Sequence, residues 1–274
     1  MNRAGRDNAH NYWGDAKIIQ VWQGDVRTQD DQLKIFSAKE FSEPEHEIRI
    51  YLGEVDSSHF FAVHKEINKE FDEFQNLREI VAVLPENEIG ILEAVVTAIA
   101  LCNWHETHPK CPRCGQETEV ISNGWVRKCI SDSSQHFPRT DPAIIVAVQD
   151  RSGRICLGRQ AHWPEGRYSN FAGFVEPGES LEATVVREVG EESGLVVSEI
   201  KYLSSQPWPF PNSIMLAFEA FTDNPEAARP DGSEIVDLKW FSRDELRTAV
   251  ADGTLKLPPK TTVSGKLIAG WLNG

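Results

Sequence analysis

The chain lacks several features, and each absence narrows the reading. No apolar run of membrane-spanning length is read in its 274 residues, so no helical membrane span is expected. The opening residues, MNRAGRDNAHNYW, contain no apolar leader core, and the closing GWLNG is not a peroxisomal address. A cytoplasmic protein without a membrane partner is therefore the default expectation. Basic excess is also missing. The net charge of −14 argues against a general polyanion-binding face. It leaves open a small anionic substrate reached through metal ions, or a nucleic acid recognised only at one end. Cysteines number five, an odd count, and three of them cluster, which argues against a disulfide framework.

What is present suits a globular protein: 40% of residues are hydrophobic, and the length accommodates one large domain or two modest ones. Residues 1–105 carry strand-like runs at 16–22 (AKIIQVW), 48–52 (IRIYL) and 60–63 (FFAV). A helix is expected over 90–106, with Ile91, Val95, Ala98 and Leu101 on one side. This half is read as a separate α+β unit. Arg78, in NLREIV, is the one residue here that could meet a substrate phosphate, although a lone arginine is more often a surface salt-bridge residue.

Residues 106–140 form a distinct segment. Cys111-Pro-Arg-Cys114-Gly is a C-x₂-C knuckle, and Cys129 lies where a second knuckle would begin. The second cysteine of that knuckle would fall at position 132, which is Asp132. Three outcomes stay open: Asp132 supplies an oxygen ligand, His136 takes its place, or the fold persists without metal. A zinc ion here would be structural. Five basic and four acidic residues between positions 110 and 141 give poor support for a nucleic-acid footprint. Cys102 and Cys156 fall in apolar stretches and are expected to be buried.

A buried strand is expected at 143–148, with a turn at 150–153 and a return strand at 155–158. The stretch 173–195, GFVEPGESLEATVVREVGEESGL, follows. Ser180 can cap a helix that Gly194 ends, and Pro177-Gly178 makes a turn able to bring backbone groups near a phosphate. Glu188, Glu191 and Glu192 stand at i, i+3 and i+4, beside an apolar stripe of Leu181, Val185 and Val189. Three glutamates alone read as a solvated face. Carboxylates held together on a docked helix are ligands for hard cations such as Mg²⁺ or Mn²⁺. Downstream, Ser205-Gln206-Pro207-Trp208-Pro209-Phe210-Pro211-Asn212-Ser213 is stiff and ill-suited to a central strand. Taken alone, it reads equally as a cradle for a planar heterocycle and as a loop with buried rings.

The spacing Gly173, Glu179, Arg187-Glu188-Val189, Glu191-Glu192, Gly194-Leu195 resembles the complete Nudix box. With WHETHPKCPRCG, GWVRKC, HFPRTDP and SQPWPFPNS, the chain resembles the NADH pyrophosphatase (NudC-type) branch of that family over all but its first 75 or so residues. The resemblance implies an α+β protein: an N-terminal α+β domain (1–105), a zinc-ribbon-like segment (106–140) and a Nudix α/β/α sandwich with a mixed sheet (141–274). It implies hydrolysis of the NAD(H) diphosphate to nicotinamide mononucleotide and AMP, with Mg²⁺ or Mn²⁺ as catalytic metal, and a homodimer. Removal of NAD caps from RNA 5′ ends is the same cut. Glu188, Glu191, Glu192, Glu234 and the Ala172 carbonyl would bind metal, with Glu192 as the favoured base and Glu234 its rival. Glu179 and Arg187 would pair structurally. Residues 206–213, Phe174, Ser264 and the Phe137 of a second subunit would contact substrate, and the family's arginine in a comparable place favours Arg78. An acidic residue that the family can carry before the third ribbon ligand is Gly124 here, so any contact from it is lost. Hydrolases of ADP-ribose or dinucleoside polyphosphates, and a non-catalytic nucleotide sensor, are the competing readings.

Overall fold

The computed structural model describes residues 1–40, 48–64, 73–77 and 89–274. Two compact units emerge, Met1–Thr140 with Pro209–Asn212, and Asp141–Trp208 with Ser213–Gly274. Arg78 lies outside the described residues.

In the first unit, β1 (Lys17–Trp22), β2 (Asp25–Gln29), β3 (Gln32–Leu33), β4 (Ile35–Ser37), β5 (Ile48–Val55), β6 (Ser58–His64) and β7 (Phe74–Asn76) build one sheet. Its main path runs β3-β2-β1-β6-β5, with β4 pairing β1 and β7 pairing β2. Alternation along the strands sorts the apolar side chains onto two faces. Ile19, Val21, Ile50, Leu52, Phe60 and Ala62 pack under helix α1 (Ile89–Thr107). Ile18, Tyr51, Phe61 and Val63 pack with Ala9, Tyr12 and Trp13 of the N-terminal 3₁₀ segment. The expected strands and helix are all found, and β2, β3, β4 and β7 are additional.

Helix α1 corrects one expectation. It is long and apolar enough, by length and composition, to cross a membrane. Here it is a core helix: Ala94, Val95, Ala98, Ile99 and Cys102 are fully buried against the sheet.

The ribbon strands β8 (Thr118–Ile121), β9 (Val126–Cys129) and β10 (Gln135–His136) form an antiparallel sheet. Within the first unit the ribbon is joined to the N-terminal sheet rather than set apart from it. The Trp125 Nε1–H donates to the Tyr51 carbonyl at 2.7 Å, and the Arg6 guanidinium sits 4.0 Å over the Trp125 ring. Gly124 has φ +91°, and a Cβ there would come 2.8 Å from Ile50 Cα, so only glycine fits. The buried His105 side chain, near the end of α1, hydrogen-bonds the Gly124 carbonyl through Nε2 at 2.8 Å. Its Nδ1 lies 3.0 Å from Arg127 Nη1 of β9. Because Arg127 can only donate, Nδ1 accepts and Nε2–H donates, which fixes a neutral imidazole. Burial holds its pKa down to about 4.

The second unit is a mixed six-stranded sheet: β11 (Asp141–Asp150), β12 (Ile155–Gln160), β13 (Phe171–Phe174), β14 (Ser198–Trp208), β15 (Ser213–Thr222) and β16 (Ile235–Phe241). The order is β14-β15-β11-β12-β16, with β13 pairing β11. β11 and β15 run parallel over ten paired positions, and the other pairs are antiparallel. Odd and even residues of β11 face opposite layers. Ile144, Val146 and Val148 meet Val185 and Val189 of α2 (Leu181–Ser193). Ile145 and Ala147 meet Leu246 of α3 (Arg243–Ala251) and Leu267, Ile268 and Trp271 of α4 (Val263–Asn273). This is the expected α/β/α sandwich.

Candidate active site and ribbon metal centre

Helix α2 begins and ends where its residue types dictate. The Ser180 hydroxyl accepts the Ala183 N–H at 3.2 Å, and Gly194 closes the helix in the left-handed conformation at φ 66°. Arg187 uses all five of its N–H donors. Nε and Nη2 grip the two oxygens of Glu179 at 2.6 and 2.9 Å. Nη1 reaches Glu188 at 2.8 Å and Glu191 at 3.1 Å, and Nη2 also donates to the Phe174 carbonyl at 2.9 Å. One guanidinium thus ties strand end, loop and helix together and offsets the repulsion among three carboxylates. It holds the Glu179 carboxyl down to about 2. Thr184 Oγ1 and the Glu176 N–H also donate to Glu179.

Gly173 is explained by a close approach. A Cβ there would lie 1.9 Å from the Glu188 carboxyl carbon. The Glu188 carboxylate occupies the space that any other residue would fill, over the strand end that carries Ala172. Burial raises the Glu188 pKa, and Arg187 opposes the shift.

Glu192 is only 3% exposed, and its Oε2 has no hydrogen-bond partner. Burial pushes its pKa up to about 8, with further contributions from the charges of Glu234, Glu188 and Asp231; the Ala172 N–H pulls the other way. An anionic oxygen in such a place is costly unless a cation or a proton meets it. Glu234 stands exposed at the start of β16, and its Oε1 lies 3.5 Å from Gln160 Nε2. Asp231 fixes it by accepting the Glu234 and Ile235 N–H groups at 3.0 and 2.7 Å. Asp231 was not singled out from the sequence, although Asp-Gly before the acid is a turn signal. Glu192 thus feels the charges of Glu188 and Glu234 and hydrogen-bonds the Ala172 backbone. Glu191, on the same helix, is drawn onto Arg187. This acid set, with an orphaned buried oxygen at its centre, fits hard divalent cations.

The 205–213 strip divides. β14 runs through Trp208, and Pro207 is tolerated because β14 is an edge strand. Pro209–Asn212 is the tip of the β14–β15 hairpin and belongs to the first unit, where Phe210 packs on the N-terminal core. Pro209 and Ser213 are buried, whereas Pro211 is exposed. Gln206 is held by the protein itself. Its Nε2 donates to the Thr261 carbonyl at 2.9 Å, and its Oε1 accepts the Val263 N–H at 2.7 Å. Both ends of the amide clamp the entry to α4. Ser264 likewise turns inward: it is 6% exposed, with Oγ 2.8 Å from Ser169 Oγ and 3.0 Å from Asn170 Nδ2. Phe174 in the second unit and Phe137 in the first are exposed, at 55% and 61%.

In the ribbon, ligand atoms of Cys111, Cys114, Cys129 and Asp132 all lie within 4.8 Å of one another. Cys114 and Cys129 are 3.5 Å apart at sulfur. Backbone N–H groups of Arg113, Ser131 and Asp132 point at Cys111 and Cys129 sulfurs, each at 3.4 Å. Thiolates stabilised in this way fit a structural zinc ion. Cys102 and Cys156 are buried and free, as expected.

Comparison with known proteins identifies the family. The family profile described as NUDIX domain matches residues 139–260, and that described as NADH pyrophosphatase zinc ribbon domain matches residues 106–137. A Mycobacterium bovis protein (strain BCG / Pasteur 1173P2) named NAD-capped RNA hydrolase NudC is 34% identical, over 94% of this chain and 87% of its own. The chain belongs to the Nudix hydrolase family, in its NADH pyrophosphatase branch. The human protein named NAD-capped RNA hydrolase NUDT12 is 34% identical over 69% of this chain and 43% of its own length. A crystal structure of a Nudix hydrolase from Nitrosomonas europaea covers 50% of this chain and 78% of its own at TM-score 0.43 and 22% identity.

Proposed function

We propose that this Nudix hydrolase cleaves the diphosphate bridge of NAD(H), giving nicotinamide mononucleotide and AMP, and makes the same cut at NAD-capped RNA 5′ ends. The observation that carries the reading is Glu192, a buried carboxylate with an unpartnered oxygen, raised further in pKa by the charges of Glu234 and Glu188. Mg²⁺ or Mn²⁺, when bound, would neutralise the diphosphate and make the attacking water more acidic. Glu188, Glu192, Glu234 and the Ala172 carbonyl would hold the ions. Glu192 is the favoured base for the proton of the attacking water, with Glu234 its rival. Arg187 keeps the helix, the loop and the strand end in register while this happens. Glu191 is an outer member of the set, shared with Arg187.

On the substrate side, the exposed Phe174 ring borders the end of β13 and offers a face for stacking. Gln206 and Ser264 act by shaping the α4 entry rather than by free polar contact. Phe137 is assigned to the base-stacking role, contributed by the second subunit of a cytoplasmic homodimer. The relatives' names support the RNA-cap substrate, and the ribbon profile supports the dinucleotide.

A panel of NADH, NAD⁺, NAD-capped RNA, ADP-ribose and diadenosine polyphosphates, each with Mg²⁺ and with Mn²⁺, tests the reading through kcat/KM. NAD-containing substrates should lead. Preference for ADP-ribose would overturn the assignment, and turnover indifferent to EDTA would remove the metal from it.

A further inference from the structure

The ribbon departs from four cysteines at one position, and the geometry there supports a definite assignment. Asp132 Oδ1 accepts two hydrogen bonds from Ser134, from N–H at 2.9 Å and from Oγ at 2.5 Å. With Oδ1 held, Oδ2 is the oxygen turned to the sulfurs, 4.0 Å from Cys111 Sγ. Around a tetrahedral zinc ion, with bonds of about 2.3 Å to sulfur and 2.0 Å to oxygen, neighbouring ligand atoms stand roughly 3.5–3.8 Å apart. The Cys114–Cys129 separation of 3.5 Å and the Cys111–Asp132 separation of 4.0 Å are close to that spacing. Charge agrees too. Three thiolates and a carboxylate leave the site the same net charge around Zn²⁺ as four thiolates would, whereas a neutral histidine would not.

His136 is accounted for by the same contacts. Ser134 has one hydroxyl hydrogen, and it is spent on Asp132. The Ser134 Oγ therefore accepts from His136 Nε2–H at 3.1 Å. A nitrogen that carries its proton has no lone pair for a metal, so Nε2 supports Ser134 instead of ligating, and His136 falls outside the four-residue cluster of ligand atoms. Ser134 Oγ also lies 3.5 Å from Cys111 Sγ, which places it between two ligands. We propose that Asp132 Oδ2 is the fourth ligand of the ribbon metal and that Ser134, backed by His136, is the residue that positions it. The assignment rests on the ribbon holding a metal.

The test uses the full-length protein, stripped with a chelator and titrated with Co²⁺. Thiolate-to-cobalt charge transfer reports the ribbon alone, because the Nudix acids offer only oxygen. Wild type should take up one equivalent at thiolates. Asp132→Cys should raise that band by about one third, in proportion to thiolate number. Ser134→Ala should weaken metal affinity in chelator competition by roughly 10–100-fold with little change in the spectrum, and Ser134→Thr should recover most of it. His136→Ala should weaken affinity without altering the ligand-field bands, whereas Asp132→Asn should alter them. The reverse pattern would make His136 the ligand and overturn the assignment. Uptake by Asp132→Cys but not by wild type would refute the Asp132 ligand while leaving the ribbon metal-competent. Failure of both would refute a ribbon metal altogether.

Discussion

Glu192→Gln separates what the site does from what it costs. Burial pushes the wild-type carboxyl up to about 8 in the folded, metal-free chain, from an ordinary 4.5. The folded state therefore binds the proton more tightly than the unfolded state. Stability is complete below about 4.5 and falls as pH rises through 8. At pH 7 the penalty is on the order of 3 kcal/mol in metal-free protein, taking 1.36 kcal/mol per unit. Glutamine has the same shape and no charge, so it removes most of this penalty. Metal-free Glu192→Gln should melt several degrees above metal-free wild type at pH 8, and the gap should close at pH 5. Added Mn²⁺ should raise the wild-type Tm and leave the variant's nearly unchanged. Turnover of NADH should fall by roughly 10²–10⁴-fold, the usual worth of a positioned base. Differential scanning fluorimetry across pH, with and without metal, combined with steady-state kinetics, measures all three. A variant no more stable than wild type at pH 8 would refute the buried-charge argument. One with near wild-type kcat would remove Glu192 from the chemistry.

Three further perturbations probe the surrounding structure. Gly173→Ala should displace Glu188, because the added carbon falls 1.9 Å from its carboxyl carbon; Mn²⁺ affinity and kcat should both drop at least tenfold, and unchanged values would show that strand and helix slide apart freely. Gln206→Ala should lower stability by about 1–2 kcal/mol in denaturant titration, since it strands the Val263 N–H and the Thr261 carbonyl, with KM little changed; a tenfold rise in KM at unchanged stability would return Gln206 to direct substrate contact. His105, neutral in the fold and held down to about 4, contributes stability that is full above 6.5 and lost as pH falls towards 4. Urea titrations of wild type and His105→Gln at pH 7 and pH 4.5 should show a smaller pH effect in the variant.

The sequence was most informative where chemistry constrains spacing. Glu179, Arg187, Glu188 and Glu192 are legible because they stand at the spacing of the Nudix box, within which one guanidinium, that of Arg187, reaches Glu179, Glu188 and Glu191. The ribbon is legible for the same reason, through C-x₂-C. The strands β14, β15 and β16 were not called out by pattern. β14 is an edge strand exposed along most of its length, so it lacks the alternation that marks a half-buried strand. Helix α1 is apolar all round, which conceals both its burial and the single-sided stripe expected of it. The hydrogen bonds of Gln206 and Ser264 to neighbouring segments were not legible, because a polar residue in a proline-aromatic strip, or near a helix start, looks the same in sequence whether it faces a ligand or a neighbouring loop.

That last ambiguity bears on how specificity arises. Gln206 holds Thr261 and Val263, while Ser264, one residue further on, holds Ser169 and Asn170 just ahead of β13. The two polar residues thus join β14, the α4 entry and the strand that carries Ala172 and Gly173. A change in the strip reaches the strand end that carries Ala172 and Gly173 through this chain of hydrogen bonds. Asn170 Oδ1 is buried without a partner in the middle of it, so the chain is incompletely satisfied and sensitive to a displaced neighbour. The packing of the strip and the placement of the strand that carries Ala172 and Gly173 are therefore coupled, and substitutions that break this chain of hydrogen bonds, Gln206→Ala among them, should lower kcat with KM little changed.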